Sequence, residues 1–242
     1  MRGMKLSVII PVWNEVGTLK TVLDTVRAVP LEMEIIVVDG NSTDGTRAVL
    51  EAEAAKGGIV TIYQSEKNGR GGALREGLAV ATGDVVVFQD ADLELDPACF
   101  PDLLQPIVQG RTDVVFGSRF LGRRPPMTFL QFWGNRAINT VLNLLWSTHL
   151  TDVETCYQMF RRSAVEGMQF ERSDMSFTLE LTMRLIEQGH SIVEVPIDYI
   201  PRGRDEGKKL YWADGFIGLW LLLKYRIGRA KRMRETMNEG EA

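Results

Sequence analysis

The sequence predicts an α/β fold, a mostly parallel sheet flanked by helices, and three observations lead there. Four short runs in the first half, residues 6–12, 35–39, 60–64 and 85–90, are nearly continuous in apolar character, as strands covered on both faces are. Between them, apolar residues recur at helical spacing over segments of about 10–15 residues, the crossover length of βαβ units. The overall balance, 45% hydrophobic and 25% charged in 242 residues, is that of a globular chain able to bury a sizeable core. Long disordered, collagen-like and disulfide-scaffold classes are thereby excluded.

The elements follow in order. The strand 6–12 runs into Pro11-Val12-Trp13-Asn14-Glu15, and a helix over 16–29 presents Leu19, Val22, Leu23 and Val26 on one face. After the strand 35–39, Ser42 or Thr43 is placed to cap a helix reaching about residue 55, closed by Gly57 and Gly58. Beyond the strand 60–64, a glycine-rich turn at 68–72 opens a helix over 73–81, and the strand 85–90 follows. A strand at 113–116 leads through Gly117-Ser118-Arg119 into a Gly/Pro-rich link at 122–126. The long amphipathic segment 129–145 reads as a helix, 156–160 and 192–197 as strands, and 176–188 as the helix between them. A polar loop at 201–209 precedes the apolar stretch 216–223.

Charge and cysteine content narrow the class. The formal net charge of −4 argues against a general nucleic-acid binder. Six basic residues between Lys224 and Arg234, with no acidic one, leave 22 basic against 32 acidic residues for the rest, a cationic tail on an acidic body. Cys99 and Cys156 lack metal-ligand spacing and suggest a reducing compartment. The first apolar run ends at Pro11 and reads as a buried strand rather than a signal peptide. No apolar stretch reaches the roughly 18 residues of a bilayer span, so a soluble or peripheral protein is expected.

In open parallel sheets, ligands bind beyond the carboxyl ends of the strands. Three such ends carry acidic or amide groups: the Asn14-Glu15 end, Asp39-Gly40-Asn41, and Asp90-Ala91-Asp92-Leu93-Glu94. Carboxylates at alternate positions after an apolar strand suit a hard divalent cation that shares oxygen ligands with phosphates. Helix capping at Asp96-Pro97 in an acidic loop explains the last group equally simply. Asn68-Gly69-Arg70-Gly71-Gly72-Ala73 resembles a phosphate-cradling loop at a helix N-terminus, with a plain turn as the alternative. It matches neither the P-loop nor the Gly-x-Gly-x-x-Gly pattern.

Taken in order, Pro11–Glu15, Val37-Val38-Asp39-Gly40-Asn41-Ser42-Thr43-Asp44-Gly45-Thr46, the glycine loop, Asp90-Ala91-Asp92 and Gly117-Ser118-Arg119 resemble family-2 glycosyltransferases. The similarity is to the branch of dolichyl- and polyprenyl-phosphate mannosyl- and glucosyltransferases. It extends over Thr151-Asp152-Val153-Glu154-Thr155-Cys156-Tyr157, and over Arg202, Gly207-Lys208-Lys209, Trp212 and Asp214-Gly215. The resemblance implies a GT-A (nucleotide-diphospho-sugar transferase) fold with a Rossmann-like sheet, a nucleotide-sugar donor, and Mg²⁺ or Mn²⁺. It implies a catalytic domain over 1–210, with a nucleotide-sugar half (1–120) and an acceptor half (121–210), and an amphipathic basic C-terminal helix over 211–242.

Carried over by position, Pro11, Trp13, Glu15, Val37 and Asp39 would hold the nucleoside, and Asp90, Ala91 and Asp92 the nucleotide sugar. Asp90 and Asp92, with Glu94, would bind metal; Ser118, Arg119, Arg202 and Lys208 would bind the acceptor. Asp92, Arg119, Arg202 and Lys208 form the expected catalytic set. Gly40-Asn41 stand where the family commonly has Asp-Gly, which leaves base preference open between GDP-mannose and UDP-glucose.

The implied acceptor, polyprenyl phosphate, is already anionic, so it needs positioning more than deprotonation, and inversion at the anomeric carbon is expected. A hydroxyl acceptor would instead require a carboxylate base, with Asp152 and Glu154 as candidates against a capping role. A non-catalytic nucleotide-sugar-binding subunit is the rival of another class, and a nucleotidyltransferase lacks its glycine- and lysine-rich N-terminal loop. His149 and His190 are expected to be structural. The apolar stretch 216–223 with its basic sequel suits an anionic membrane interface. Phe132, Trp133 and Trp146 suggest a second apolar surface for a polyprenyl chain. Peripheral attachment at the cytoplasmic face is therefore expected.

Overall fold

The computed structural model describes residues 3–123, 127–202 and 217–227, with Leu130 represented by its backbone. Seven strands, β1 (Leu6–Val12), β2 (Met33–Asp39), β3 (Ile59–Tyr63), β4 (Val85–Phe88), β5 (Val114–Ser118), β6 (Gln158–Arg161) and β7 (Ile192–Pro196), form one sheet in the order β3-β2-β1-β4-β6-β5-β7. All neighbours pair parallel except β6, which runs antiparallel to both β4 and β5. The helices are α1 (Leu19–Arg27), α2 (Thr46–Ala54), α3 (Gly69–Val80), α4 (Phe100–Val108), α5 (Phe129–Trp146) and α6 (Phe177–Glu187). A further helix, α7, covers 217–227. Among the described residues no helix is long and apolar enough to cross a membrane.

Alternation along β1 shows how the sequence covers both sheet faces. Leu6, Val8, Ile10 and Val12 enter one core with α1 and α4, whereas Ile9 enters the other with α3 and α6. A third core lies beside the sheet: Ile138, Leu142 and Trp146 of α5 pack with Leu179 and Met183 of α6 and Leu221, Leu222 and Tyr225 of α7. Trp146 is thus interior and not part of an open lipid-facing surface; Phe132 is half-buried.

Three expectations change. Helix α2 begins at Thr46 behind Gly45, whose φ of 102° makes glycine the favoured residue there. Ser42 and Thr43 instead tie this loop to β1: Asn14 N–H donates to Ser42 Oγ (2.9 Å), and Thr43 N–H to Asn14 Oδ1 (2.8 Å). The glycine-rich turn is the first turn of α3 itself. Residues 156–157 precede β6 rather than belong to it. Helix α4 has no counterpart among the expected elements, but the capping alternative at Asp96-Pro97 is realised: Asp96 Oδ1 accepts the Ala98 N–H (2.9 Å) in a short turn that leads into α4, and Pro101 sits in the first turn, where its missing N–H costs nothing.

Candidate active site

Parallel β1, β2 and β4 end at one edge of the sheet, and their last residues bring the expected groups together. Asp39 closes β2 fully buried. Its Oδ2 accepts Arg47 Nε (3.0 Å) and Nη2 (2.9 Å), and Oδ1 accepts Ser42 N–H (3.2 Å). Arg47 in turn lies 5.0 Å over the Tyr63 ring. The carboxylate expected to reach a nucleoside is therefore already held by a guanidinium. Val37 has no open surface: its side chain is in the core, and β2 is paired on both edges. Pro11 is half-buried in β1, and Trp13 carries Lys67 Nζ 3.1 Å above its ring.

The acidic segment after β4 is clasped from two sides. Arg70, in the first turn of α3, donates from Nε to Asp90 Oδ1 (2.8 Å) and from Nη2 to Cys156 Sγ (3.0 Å). Burial pushes the Cys156 thiol well above its usual range. On the other side, residues 199–202 lie against Glu94. Tyr199 Oη–H donates to Oε2 (2.9 Å), Arg202 N–H to Oε1 (2.9 Å), and Ile200 N–H to the Glu94 carbonyl (2.9 Å). The Arg202 guanidinium bridges Glu15, at 2.9 and 3.1 Å, and approaches Asp92 at 3.4 Å. Thr18 Oγ1 joins Glu15 Oε2 (3.1 Å) and the carbonyl of buried Ala91 (2.6 Å). Glu15, Asp92, Glu94 and Arg202, dispersed through the sequence, form one cluster.

Asp92 carries the electrostatic tension of this cluster. Burial first, then the Asp90 and Glu94 carboxylates, push it up to about 7, against the opposing pull of the Glu94 N–H and Arg202. Among the described residues no three Asp, Glu, His or Cys side chains form a complete cation site. A half-buried carboxylate destabilised by like charge nonetheless suits a cation held by one or two protein oxygens and completed by diphosphate and water. Asp90 and Asp92 fit that role, with Glu94 bound back to the 199–202 segment.

Arg119 and Ser118 turn inward. Arg119 grips buried Asp152 through Nε and Nη2, each at 2.7 Å, while its N–H adds a bond of 2.9 Å. Ser118 is fully buried and shares a 2.6 Å hydrogen bond with Thr151, so its side chain is not presented to an acceptor. The fork removes Asp152 from the role of free base. His190, ahead of β7, lies at the opposite sheet end, with Nδ1 3.9 Å from Asp113. Lys208 lies outside the described residues.

The first turn of α3 departs most from its expected use. Gly72 N–H donates to Ser173 O (3.0 Å), and a Cβ on Gly69 would lie 2.3 Å from that same oxygen. On Gly71, a Cβ would meet Phe177 Cβ at 2.5 Å and Asp174 O at 2.8 Å. The glycines at 69 and 71 admit the backbone of residues 173–174 and leave no phosphate cradle; the side chain of the motif that reaches the acidic segment is Arg70. Its signal was an arginine set among glycines, a side chain whose support has close backbone access. The Glu15–Arg202 pair spans 187 positions and had no local signal.

The glycosyl transferase family 2 model matches residues 7–168. An undecaprenyl-phosphate mannosyltransferase of Micrococcus luteus is 30% identical, the match covering 95% of this chain and 96% of that protein. A dolichol-phosphate mannosyltransferase of Pyrococcus furiosus is 30% identical over 85% of this chain and 59% of its own length. Glycosyltransferase AglD of Haloferax volcanii is 29% identical over 83% of this chain; the chain spans only 34% of AglD. Among solved structures, glucosyl-3-phosphoglycerate synthase of Mycobacterium tuberculosis superposes with a TM-score of 0.70 at 21% identity, covering 93% of this chain and 81% of that one. The same enzyme crystallised with Mn²⁺, UDP-glucose and phosphoglyceric acid gives 0.68 at 22% identity. At those identities the likeness is one of fold.

Proposed function

Since the chain belongs to glycosyl transferase family 2 and is a glycosyltransferase of GT-A architecture, we propose that it moves a hexose, mannose or glucose, from a nucleotide diphosphate sugar to polyprenyl phosphate. What carries this reading is the meeting of Asp92 and Glu94 with Arg202 and Glu15 beyond the strand ends, next to Asp90 on its Arg70 clasp. The near end-to-end match to the Micrococcus protein supports the lipid-phosphate acceptor. Residues 1–120 hold the donor and 121–210 face the acceptor, at the cytoplasmic side of a membrane.

Transfer requires negative charge on the departing diphosphate to be offset and the nucleophile to be aligned. Asp90 and Asp92 would hold Mg²⁺ or Mn²⁺, which would supply the first of these as a Lewis acid. Arg202, held by two carboxylates, brings a cation to the same edge, and Lys208 follows it in sequence. Arg119 spends two of its five N–H donors on Asp152, which sets its guanidinium plane and leaves donors for a phosphate. Asp39 acts on the nucleoside through Arg47, which it holds in place, and Trp13 offers a ring for the base. An anionic phosphate oxygen needs no base, consistent with Asp152 being engaged. Attack in line then inverts the anomeric carbon.

The configuration of the purified glycolipid tests this reading. From an α-linked donor, nuclear magnetic resonance should show a β-linked product; an α-linked product would contradict single displacement. Presented with UDP-glucose, GDP-mannose and UDP-N-acetylhexosamines separately, the protein should turn over a hexose donor in the presence of Mg²⁺ or Mn²⁺. Metal-dependent donor hydrolysis without a lipid product would move the acceptor to a hydroxyl.

A further inference from the structure

We propose that the outer face of α7 is a foot that seats the domain on an anionic lipid bilayer in a fixed orientation. The inference deepens the lipid-phosphate reading and rests on it for the presence of a membrane, but its observations are separate. Helix α7 is apolar on two sides. Its inner side is part of the molecule: Leu221 and Leu222 are fully buried, and the Gly218 position lies 3.4 Å from Ile138 measured from an added Cβ. Tyr225 Oη–H donates to Glu180 (2.6 Å), a buried carboxylate that also accepts the Glu171 and Arg172 N–H groups and Arg184. The helix is thus bolted to α6.

The outer side of a surface helix is ordinarily polar. Here it carries Ile217, Trp220, Leu223 and Ile227, at spacings of three and four, with exposures of 39%, 56%, 52% and 69%. Lys224 and Arg226 share the exposed surface, and Lys224 Nζ lies 5.6 Å over the Trp220 ring. This combination of tryptophan, aliphatic and basic side chains suits the headgroup boundary of a bilayer.

Charge selects the occupant. Residues 224–234 hold six basic and no acidic side chains, whereas the rest of the chain is acidic. An anionic surface therefore attracts the protein at α7 and repels it elsewhere. A symmetric dimer through the same face would place Lys224 and Arg226 of both copies at the interface, with no acidic residue in α7 to meet them. Because Tyr225 and Glu180 lock α7 to the body, docking sets the orientation of the whole domain, unlike a loose basic tail.

Vesicle sedimentation with the full-length protein tests the proposal, using phosphatidylcholine alone and phosphatidylcholine mixed with phosphatidylglycerol. Binding should be confined to the anionic vesicles, and a Trp220→Ser/Ile227→Ser variant should weaken it about tenfold or more. Lys224→Glu/Arg226→Glu should do the same at low salt. Absence of binding to anionic vesicles, or binding unchanged by Trp220→Ser/Ile227→Ser, would overturn the foot. A dimer abolished by those substitutions would assign the face to a second copy instead. Transfer to a short, water-soluble prenyl phosphate should be unchanged in the variant; its loss would mean that the face serves the fold. If the wild-type protein binds vesicles but transfers nothing, the foot stands and the proposed reaction fails.

Discussion

Arg202 is the side chain on which the charge balance of the strand-end cluster turns. Its bonds to Glu15 and its approach to Asp92 offset carboxylates that would otherwise repel one another. Arg202→Gln should lower kcat/KM by about 10²–10³, the usual loss for a preorganised charge contact, and lower the thermal midpoint as well, since Glu15 and Asp92 lose their counter-charge. An unchanged kcat/KM in steady-state assays would remove Arg202 from the reaction. Asp152→Asn makes the opposite kind of change. It leaves the Arg119 guanidinium buried beside a neutral amide, costing about 3–5 kcal/mol of stability, readable in urea unfolding. Glu34 carries a pH effect. Burial raises its carboxyl, but hydrogen bonds from Lys5, Ser7 and Thr82 outweigh that and hold it at about 2 in the folded protein, against an ordinary 4.5. Its contribution, about 3 kcal/mol, is present above pH 4.5 and disappears as pH falls toward 2. Glu34→Gln should therefore destabilise the protein at neutral pH and make little difference near pH 2. Equal losses at both pH values would contradict this assignment.

At the scale of elements, the first turn of α3 shows what sequence pattern conveys and what it withholds. The glycines at 69 and 71 were visible, but their use was not, because the backbone that requires them lies about a hundred residues later, at 173–174. Gly71→Ala should displace that segment and with it Arg70 and Asp90. The expected loss is about 1–3 kcal/mol, together with a raised KM for the donor; a variant with wild-type stability and KM would contradict the close fit. Strands β1, β2 and β4 were legible because burial on both faces leaves an unbroken apolar run. The direction of β6 was not, since a short run of Gln158–Arg161 reads alike in either sense and its pairing is decided by neighbours.

For the molecule as a whole, the site was legible as a set of motifs but not as a set of bonds. Asp39, Asp90, Asp92 and Glu94 stand at the strand ends, as alternation of strand and helix implied. Their partners Arg47, Arg70 and Tyr199, and the pairing of Glu15 with Arg202, arise only when the chain closes on itself. The same closure turns Ser118 inward and gives Arg119 to Asp152. It also places α7 beside α5 and α6, with an apolar face outward. The most direct test of the resulting account is transfer of labelled sugar into butanol-extractable lipid by the full-length protein, supplied with polyprenyl phosphate, a nucleotide-sugar donor and Mg²⁺ or Mn²⁺, with Asp92→Ala beside it. The account predicts metal-dependent label in the lipid phase that Asp92→Ala reduces by about 10²-fold or more. Equal labelling by the wild-type protein and Asp92→Ala, or labelling indifferent to metal, would contradict it.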